Sequence, residues 1–381
     1  MTKKRVYTTR TFFNDIHLWL GFLSGIIIFL VCLSGTILTY EKEIEAFFYN
    51  GISIKPEGDR KSIVELSETI TKQTSGTITG VVIPSEKKEP FEFSVKKNAN
   101  DRRGAKFLVD PYTQEIVEPQ KTAVDDFMFS MFKLHRWLLL DSKIGRPIVG
   151  IATIIFLILS ITGLVLWFPK KLKWKNLKHG FKIKTTAKWK RINHDLHNTL
   201  GFYACIFILI MGITGLCWSF EGYRDGLSKV LGTKVFGNRG GESLKINSEL
   251  NPLAPTINYD QAIAIVNKEL NYEGKINISF PNDQNPLFTI RKYNDKSWST
   301  VAADALIINN QGIVLSKKMY SDIPTNQKIA NAIKPIHTGE IFGGISKLLY
   351  FLACLIATSL PITGTLIWWN KLKKNKKWYL S

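Results

Sequence analysis

Four long apolar blocks, residues 16–40, 148–168, 200–220 and 348–369, restrict what this chain can fold into. Each has about the twenty residues a helix needs to cross the hydrocarbon core of a bilayer. None carries a charged side chain in its middle. Backbone amides in hydrocarbon must be paired within the segment, so each block is expected to be a transmembrane helix.

The net charge of +20 would suit a nucleic-acid binder, but its distribution argues otherwise. Residues 1–16 carry Lys3, Lys4, Arg5 and Arg10 against Asp15. Residues 169–196 carry ten Lys or Arg against Asp195, and residues 370–381 carry five Lys and no acid. These three segments hold 17 of the 20 charges and lie on one side of a four-span topology. That is the positive-inside pattern: it places both termini in the cytoplasm, makes the bilayer the partner and leaves no role for nucleic acid. The first block is expected to be a retained anchor, because no small-x-small cleavage site closes it. Cys32, Cys205, Cys217 and Cys354 all fall inside the spans without metal or redox spacing, and no Cys-x-x-Cys-His run occurs.

The chain is internally repeated. His17 precedes Gly21 by four residues and Gly35 by eighteen, and His197 stands in the same relation to Gly201 and Gly215. The second span ends Ile161-Thr162-Gly163 and the fourth Ile362-Thr363-Gly364, each followed by a Trp and a Lys-rich stretch. The inserts match too. Residues 62–73 and 259–270 read as amphipathic helices. Short strands follow at 77–83, 91–96, 105–110 and 114–117, and again at 276–280, 287–292, 305–309 and 313–316.

The expected fold class is therefore membrane α-helical plus α+β, with four transmembrane helices in two repeats, each carrying a small α+β domain. The first repeat runs from a cytoplasmic N-terminus (1–16) through a span (17–40), an extracytoplasmic domain (41–123) and an interfacial helix with linker (124–147) to a span (148–168). A basic cytoplasmic loop (169–196) leads to the second: a span (197–220), a domain (221–324), an interfacial helix with linker (325–344), a span (345–369) and a basic tail (370–381).

Five of the six histidines fall at span boundaries. His17 and His197 sit at the cytoplasmic ends of spans one and three. His135 and His337 sit just before spans two and four, at the outer ends. A lone interfacial histidine is usually a polar residue near water. Two level pairs, each with one member from each repeat, are the arrangement that holds haem iron by both axial positions. Gly21 and Gly201 lie one turn from their histidines and would leave a groove for a flat porphyrin. Gly35 and Gly215 return to the same face roughly 27 Å further along, near the outer pair. Close helix packing explains small residues equally well. His194, three residues before His197, competes for its role and is expected to lie outside the pair. Arg136, Arg146 and Lys334 could meet haem propionates or lipid headgroups. No dinucleotide or phosphate-binding loop and no zinc-peptidase motif occurs, so no NAD or flavin site is expected.

The repeat, the Ile-Thr-Gly endings of the even-numbered spans, His197-x-x-x-Gly201 and the paired inserts resemble the PepSY-associated transmembrane family. That family includes iron-regulated membrane proteins and ferrisiderophore reductases of Gram-negative bacteria. The resemblance covers essentially the whole chain. It implies an inner-membrane protein with periplasmic PepSY domains and, in some members, two b-type haems and reduction of ferric siderophores. The implied axial ligands are His17 and His197 inside, His135 and His337 outside. The flavin-binding extensions of some relatives are missing, so the electron donor would be a quinol or a separate cytoplasmic reductase. Two other functions compete: a non-enzymatic PepSY anchor that restrains peptidases or senses envelope state, and an iron-siderophore permease.

Overall fold

The computed structural model describes residues 7–48, 52, 54–98, 104–237, 256–282 and 285–379, without the side chains of 374–379. Lys3, Lys4 and Arg5 of the basic N-terminus lie outside the described residues, as do the side chains of Lys374, Lys376 and Lys377. The chain forms two compact units. One comprises residues 1–44, 123–235 and 332–381, the other residues 45–122 and 236–331.

The first unit is helical. Helix α1 (Thr9–Leu38) begins eight residues before the expected boundary, because the Thr8 hydroxyl caps it by accepting from the Thr11 amide. Short α2 (Glu41–Phe48) follows, in a stretch with no helix expected. Further along the chain come α3 (Ile63–Thr74), which belongs to the other unit, and α4 (Ala123–Trp137), which packs against α1. Helix α5 (Ser142–Trp167) also starts early, capped by the Asp141 carboxylate. At its far end Arg10 donates to the Leu166 carbonyl at 2.6 Å and the Phe168 carbonyl at 2.8 Å. One cation thus closes orphan carbonyls at the negative end of the helix dipole.

After the short α6 (Trp174–Leu177), the third apolar block lies in one helical run. It consists of α7 (Trp189–Asp195), a π turn (Leu196–Leu200) and α8 (Gly201–Ser219). Helix α9 (Glu221–Leu231) follows, again in a stretch with no helix expected. Helices α10 (Tyr259–Glu269) and the first part of α11 (Thr325–Thr338) belong to the other unit, and α12 (Gly344–Tyr379) closes the chain.

Among the described residues four helices are long and apolar enough to cross a membrane: Thr9–Leu38, Ser142–Trp167, Trp189–Ser219 and Gly344–Lys373. Helices α1 and α8 each pack on both α5 and α12, which closes a four-helix bundle. Small Ala204, Ala353 and Ala357 let α8 and α12 approach closely. Leu23, Ile26, Ile151, Ile206 and Leu355 are exposed, as a hydrocarbon surround requires.

The second unit holds the strands β1 (Thr77–Ile83), β2 (Phe91–Lys96), β3 (Ala105–Val109), β4 (Ile116–Val117), β5 (Ile276–Ser279), β6 (Phe288–Tyr293), β7 (Ala303–Ile308) and β8 (Val314–Lys318). The two inserts, expected as separate domains, share one antiparallel sheet of order β4-β3-β2-β1-β5-β6-β7-β8. The join is β1 against β5, with Val81 opposite Ile278. Pairing removes an exposed edge from each half, and unpaired edges invite aggregation. Alternate residues such as Phe93, Val95, Ile290 and Leu306 are fully buried, in one core with Leu66 and Ile70 of α3 and Val266 of α10. Helices α3 and α10 each begin with a capping box, Ser62 with Glu65 and Asn258 with Gln261.

Gly80 lies at the join, where a Cβ would fall 2.5 Å from the Ile278 carbonyl oxygen. Gly80→Ala is expected to cost roughly 1–3 kcal/mol by forcing the strands apart. Gly226→Ala in α9, where nothing lies within 4 Å of the added carbon, should be neutral or stabilising by up to about 1 kcal/mol. Thermal melts of the detergent-purified chain, followed by circular dichroism, distinguish the two.

Candidate functional site

Each of the four paired histidines presses its ring onto a glycine of another helix. His17 of α1 meets Gly163 of α5, and His197 meets Gly364 of α12. His135 of α4 meets Gly35 of α1, and His337 of α11 meets Gly215 of α8. A Cβ added at Gly163, Gly364 or Gly215 would lie 3.2 Å from the ring Cε1, and one at Gly35 would lie 3.0 Å from it. A side chain at any of these positions would press on the imidazole more tightly than most Cβ contacts do, so the ring would have to give by a few tenths of an ångström.

The residue before each glycine is a hydroxyl: Thr162, Thr363, Ser34 and Thr214. His17 Nδ1 lies 2.9 Å from Thr162 Oγ1, His197 Nδ1 2.9 Å from Thr363 Oγ1 and His337 Nδ1 3.0 Å from Thr214 Oγ1; His135 Nδ1 stands further off, 3.5 Å from Ser34 Oγ. The hydroxyls spend their own hydrogens on carbonyls of their own helix, Thr162 on Ile158 at 2.9 Å and Thr214 on Ile210 at 2.6 Å. They are left to accept. A backbone carbonyl four residues before each glycine accepts as well: Val31 from His135 at 2.8 Å and Met211 from His337 at 3.0 Å. Leu159 and Leu360 do the same for His17 and His197. Nδ1 therefore carries the hydrogen in all four rings, and Nε2 keeps its lone pair, the form in which imidazole binds a metal.

The rings meet in pairs across the two halves of the chain. His17 and His197 have ring centres 6.2 Å apart at an interplanar angle of 90°. His135 and His337 are also 6.2 Å apart, at 58°. With metal–nitrogen bonds of about 2 Å, two imidazoles on opposite sides of one ion have centres roughly 6 Å apart. Among the described residues no three of His, Cys, Asp or Glu cluster for a metal. A site with two protein ligands suits an ion whose other positions are filled by a planar chelate.

A cavity of about 740 Å³ surrounds the pair of His17 and His197. Gly21 and Gly201 line it. Their nearest neighbours, Leu159 Cδ2 and Leu360 Cδ2, would stand 3.8 and 3.5 Å from an added Cβ, which is ordinary van der Waals contact. Gly35 and Gly215 belong to the other pair. His197 sits in the π turn, an irregularity that often marks functional positions. His194 stays out of the pair: it is exposed at the cavity mouth, 3.6 Å from Asp195.

Burial, with the His135 ring beside it, pushes the His337 imidazole down to about 4, and burial also lowers His135. Both are neutral at physiological pH and can ligate. Trp218 packs on His337 with ring centres 5.2 Å apart. Arg136 and Arg146 lie over Trp137, and Lys334 is exposed. Sequence reasoning missed the seat itself, the four hydroxyls together with Gly163 and Gly364. Its signal was visible: a Ser-Gly or Thr-Gly pair recurs near one end of every span.

A side chain at a seating glycine should displace the ring. Gly364→Val is expected to lose roughly 1–3 kcal/mol of stability. Gly25→Ala, whose Cβ would meet only Pro361 Cβ at 3.9 Å, should be near neutral. Unfolding midpoints in detergent, read by tryptophan fluorescence, give the comparison.

No curated protein matches the chain. A protein family does: the one described as the PepSY-associated TM region matches residues 15–371. Four apolar helices, an α+β unit built from the two inserts and a match over nearly the whole length lead to one assignment: the chain belongs to the PepSY-associated transmembrane family.

Proposed function

We propose that this protein holds two b-type haems in a bacterial inner membrane and passes electrons across it to an iron chelate of the ferric-siderophore class. Its termini would lie in the cytoplasm and its sheet unit in the periplasm. Electrons would come from a quinol or a cytoplasmic reductase.

The observation that carries this reading is the pair of matched histidine clamps. Each has ring centres 6.2 Å apart and Nδ1 atoms tied back to hydroxyls and carbonyls. The seats fix the tautomer and aim Nε2 away from the supporting helix. The small glycines beside the ligands would admit a flat ring, and the deep part of the cavity would give it an apolar wall. Without a Cys-x-x-Cys-His run, attachment would be through the iron alone. Iron held there would exchange single electrons, the chemistry the cofactor itself supplies. Eighteen residues of α1 separate His17 from Gly35, which seats the other pair. By helical rise that is roughly 27 Å, close to the thickness of the hydrocarbon core.

The purified chain from haem-replete cells should be red and, by pyridine haemochrome assay, carry about two haems. His135→Ala or His337→Ala should each remove about one, and so should His17→Ala or His197→Ala. Reduced protein should show its haem bands reoxidise on addition of a ferric siderophore. A colourless protein would sink the haem reading. A red protein that ferric chelates leave reduced would sink the acceptor. A peptidase-restraining anchor would keep its phenotype with all four histidines changed to alanine, whereas the proposed reductase would lose it.

A further inference from the structure

The cavity around His17 and His197 is amphipathic along its length. Its deep part is walled by apolar residues such as Ile28, Phe156 and Ile208. Its mouth carries polar groups from the basic ends of three helical segments, among them Arg10, Lys170 and Lys371, against the single carboxylate of Asp15. Arg10 differs from the two lysines. It is half-buried and held by its hydrogen bonds to the Leu166 and Phe168 carbonyls. Those bonds use two of the five N–H donors a guanidinium presents. Lys170 and Lys371 are exposed, with the reach to follow a ligand at the rim. A flat, largely apolar ligand with an anionic edge matches this gradient. A neutral one would leave the excess of positive charge over Asp15 at the rim without a partner in the ligand.

Resting on the haem reading above, we infer that Arg10, Lys170 and Lys371 form a carboxylate-binding rim. It takes the two propionates of a tetrapyrrole standing edge-on between His17 and His197, and so fixes which edge faces the basic end of the bundle. The apolar edge then points inward, toward the middle of the bundle. Axial ligation alone does not select between these orientations, because an imidazole pair is indifferent to rotation of the ring about its iron. The rim supplies the missing selection through charge-assisted hydrogen bonds.

The test compares haemin with its dimethyl ester, which keeps the ring and iron but carries no anionic edge. Full-length protein bearing His135→Ala and His337→Ala retains only the site under study. The expected result is low-spin binding of both compounds, with haemin held about tenfold more tightly than the ester. Lys170→Gln with Lys371→Gln should cut that preference to about threefold or less, with the low-spin spectrum unchanged. Arg10 also caps α5, so Arg10→Lys, which keeps the charge but not the fork, is the milder third variant and should weaken the preference in part. Equal affinity for acid and ester in the protein with all three cations would overturn the rim while leaving the histidine clamp standing. So would an unchanged preference in the double lysine variant. Failure of both compounds to bind would remove the clamp and the rim together.

Discussion

Each paired histidine donates its Nδ1 hydrogen to a helix carbonyl that already accepts a backbone hydrogen bond. A carbonyl oxygen has two lone pairs, and helical geometry uses one. The second is normally screened by the side chain one turn on, at the residue whose amide the carbonyl accepts. In all four seats that residue is glycine: Gly35 above Val31, Gly163 above Leu159, Gly215 above Met211 and Gly364 above Leu360. Removing the Cβ opens the lone pair to the imidazole. A glycine in a helix interior costs roughly 0.5–1 kcal/mol relative to alanine, and each of these four admits an imidazole close against its helix. The adjoining hydroxyl gives Nδ1 a second acceptor and satisfies its own hydrogen on its own helix. A polar ring is thereby buried without an orphaned donor, and its other nitrogen keeps its lone pair.

Much of this was legible in the sequence, and the rest was not for identifiable reasons. The spans were legible because bilayer thickness imposes a length and hydrocarbon imposes a composition. The strands at residues 77–83 and 91–96 were legible because one face is buried and the other is not. The pairing of β1 with β5 joins residues almost two hundred positions apart and leaves no local pattern, so the two inserts read as separate domains. Helix starts at Thr9 and Ser142 depend on single caps that extend the helix past its apolar block. The histidine pairs were legible from repeat spacing alone. The seats were not, because which histidine lands on which glycine depends on the packing of whole helices. Gly35 was expected beside the outer pair, but that His135 touches it could come only from the packing of α4 on α1.

Seats and pairs divide between the halves of the chain in different ways. Every seat is internal to one half: His17 and His135 rest on glycines at 163 and 35, His197 and His337 on glycines at 364 and 215. Every pair crosses between halves. One half alone can orient two imidazoles but cannot oppose them. A metal that needs two axial ligands therefore binds only when the halves are together, and its binding free energy becomes adhesion between them. The helix contacts follow the same division. Helix α1 meets α5, and α8 meets α12, within a half, whereas α1 against α12 and α5 against α8 close the bundle between halves. A ligand held only by the assembled form stabilises it in proportion to the logarithm of its concentration over its dissociation constant. The small alanines between α8 and α12 sit within one half, and Cys32 of α1 and Phe156 of α5 pack against the same cluster from the other. Under the proposed ligation, loss of one histidine would remove a tie between the halves in addition to the packing of α1 on α12 and of α5 on α8.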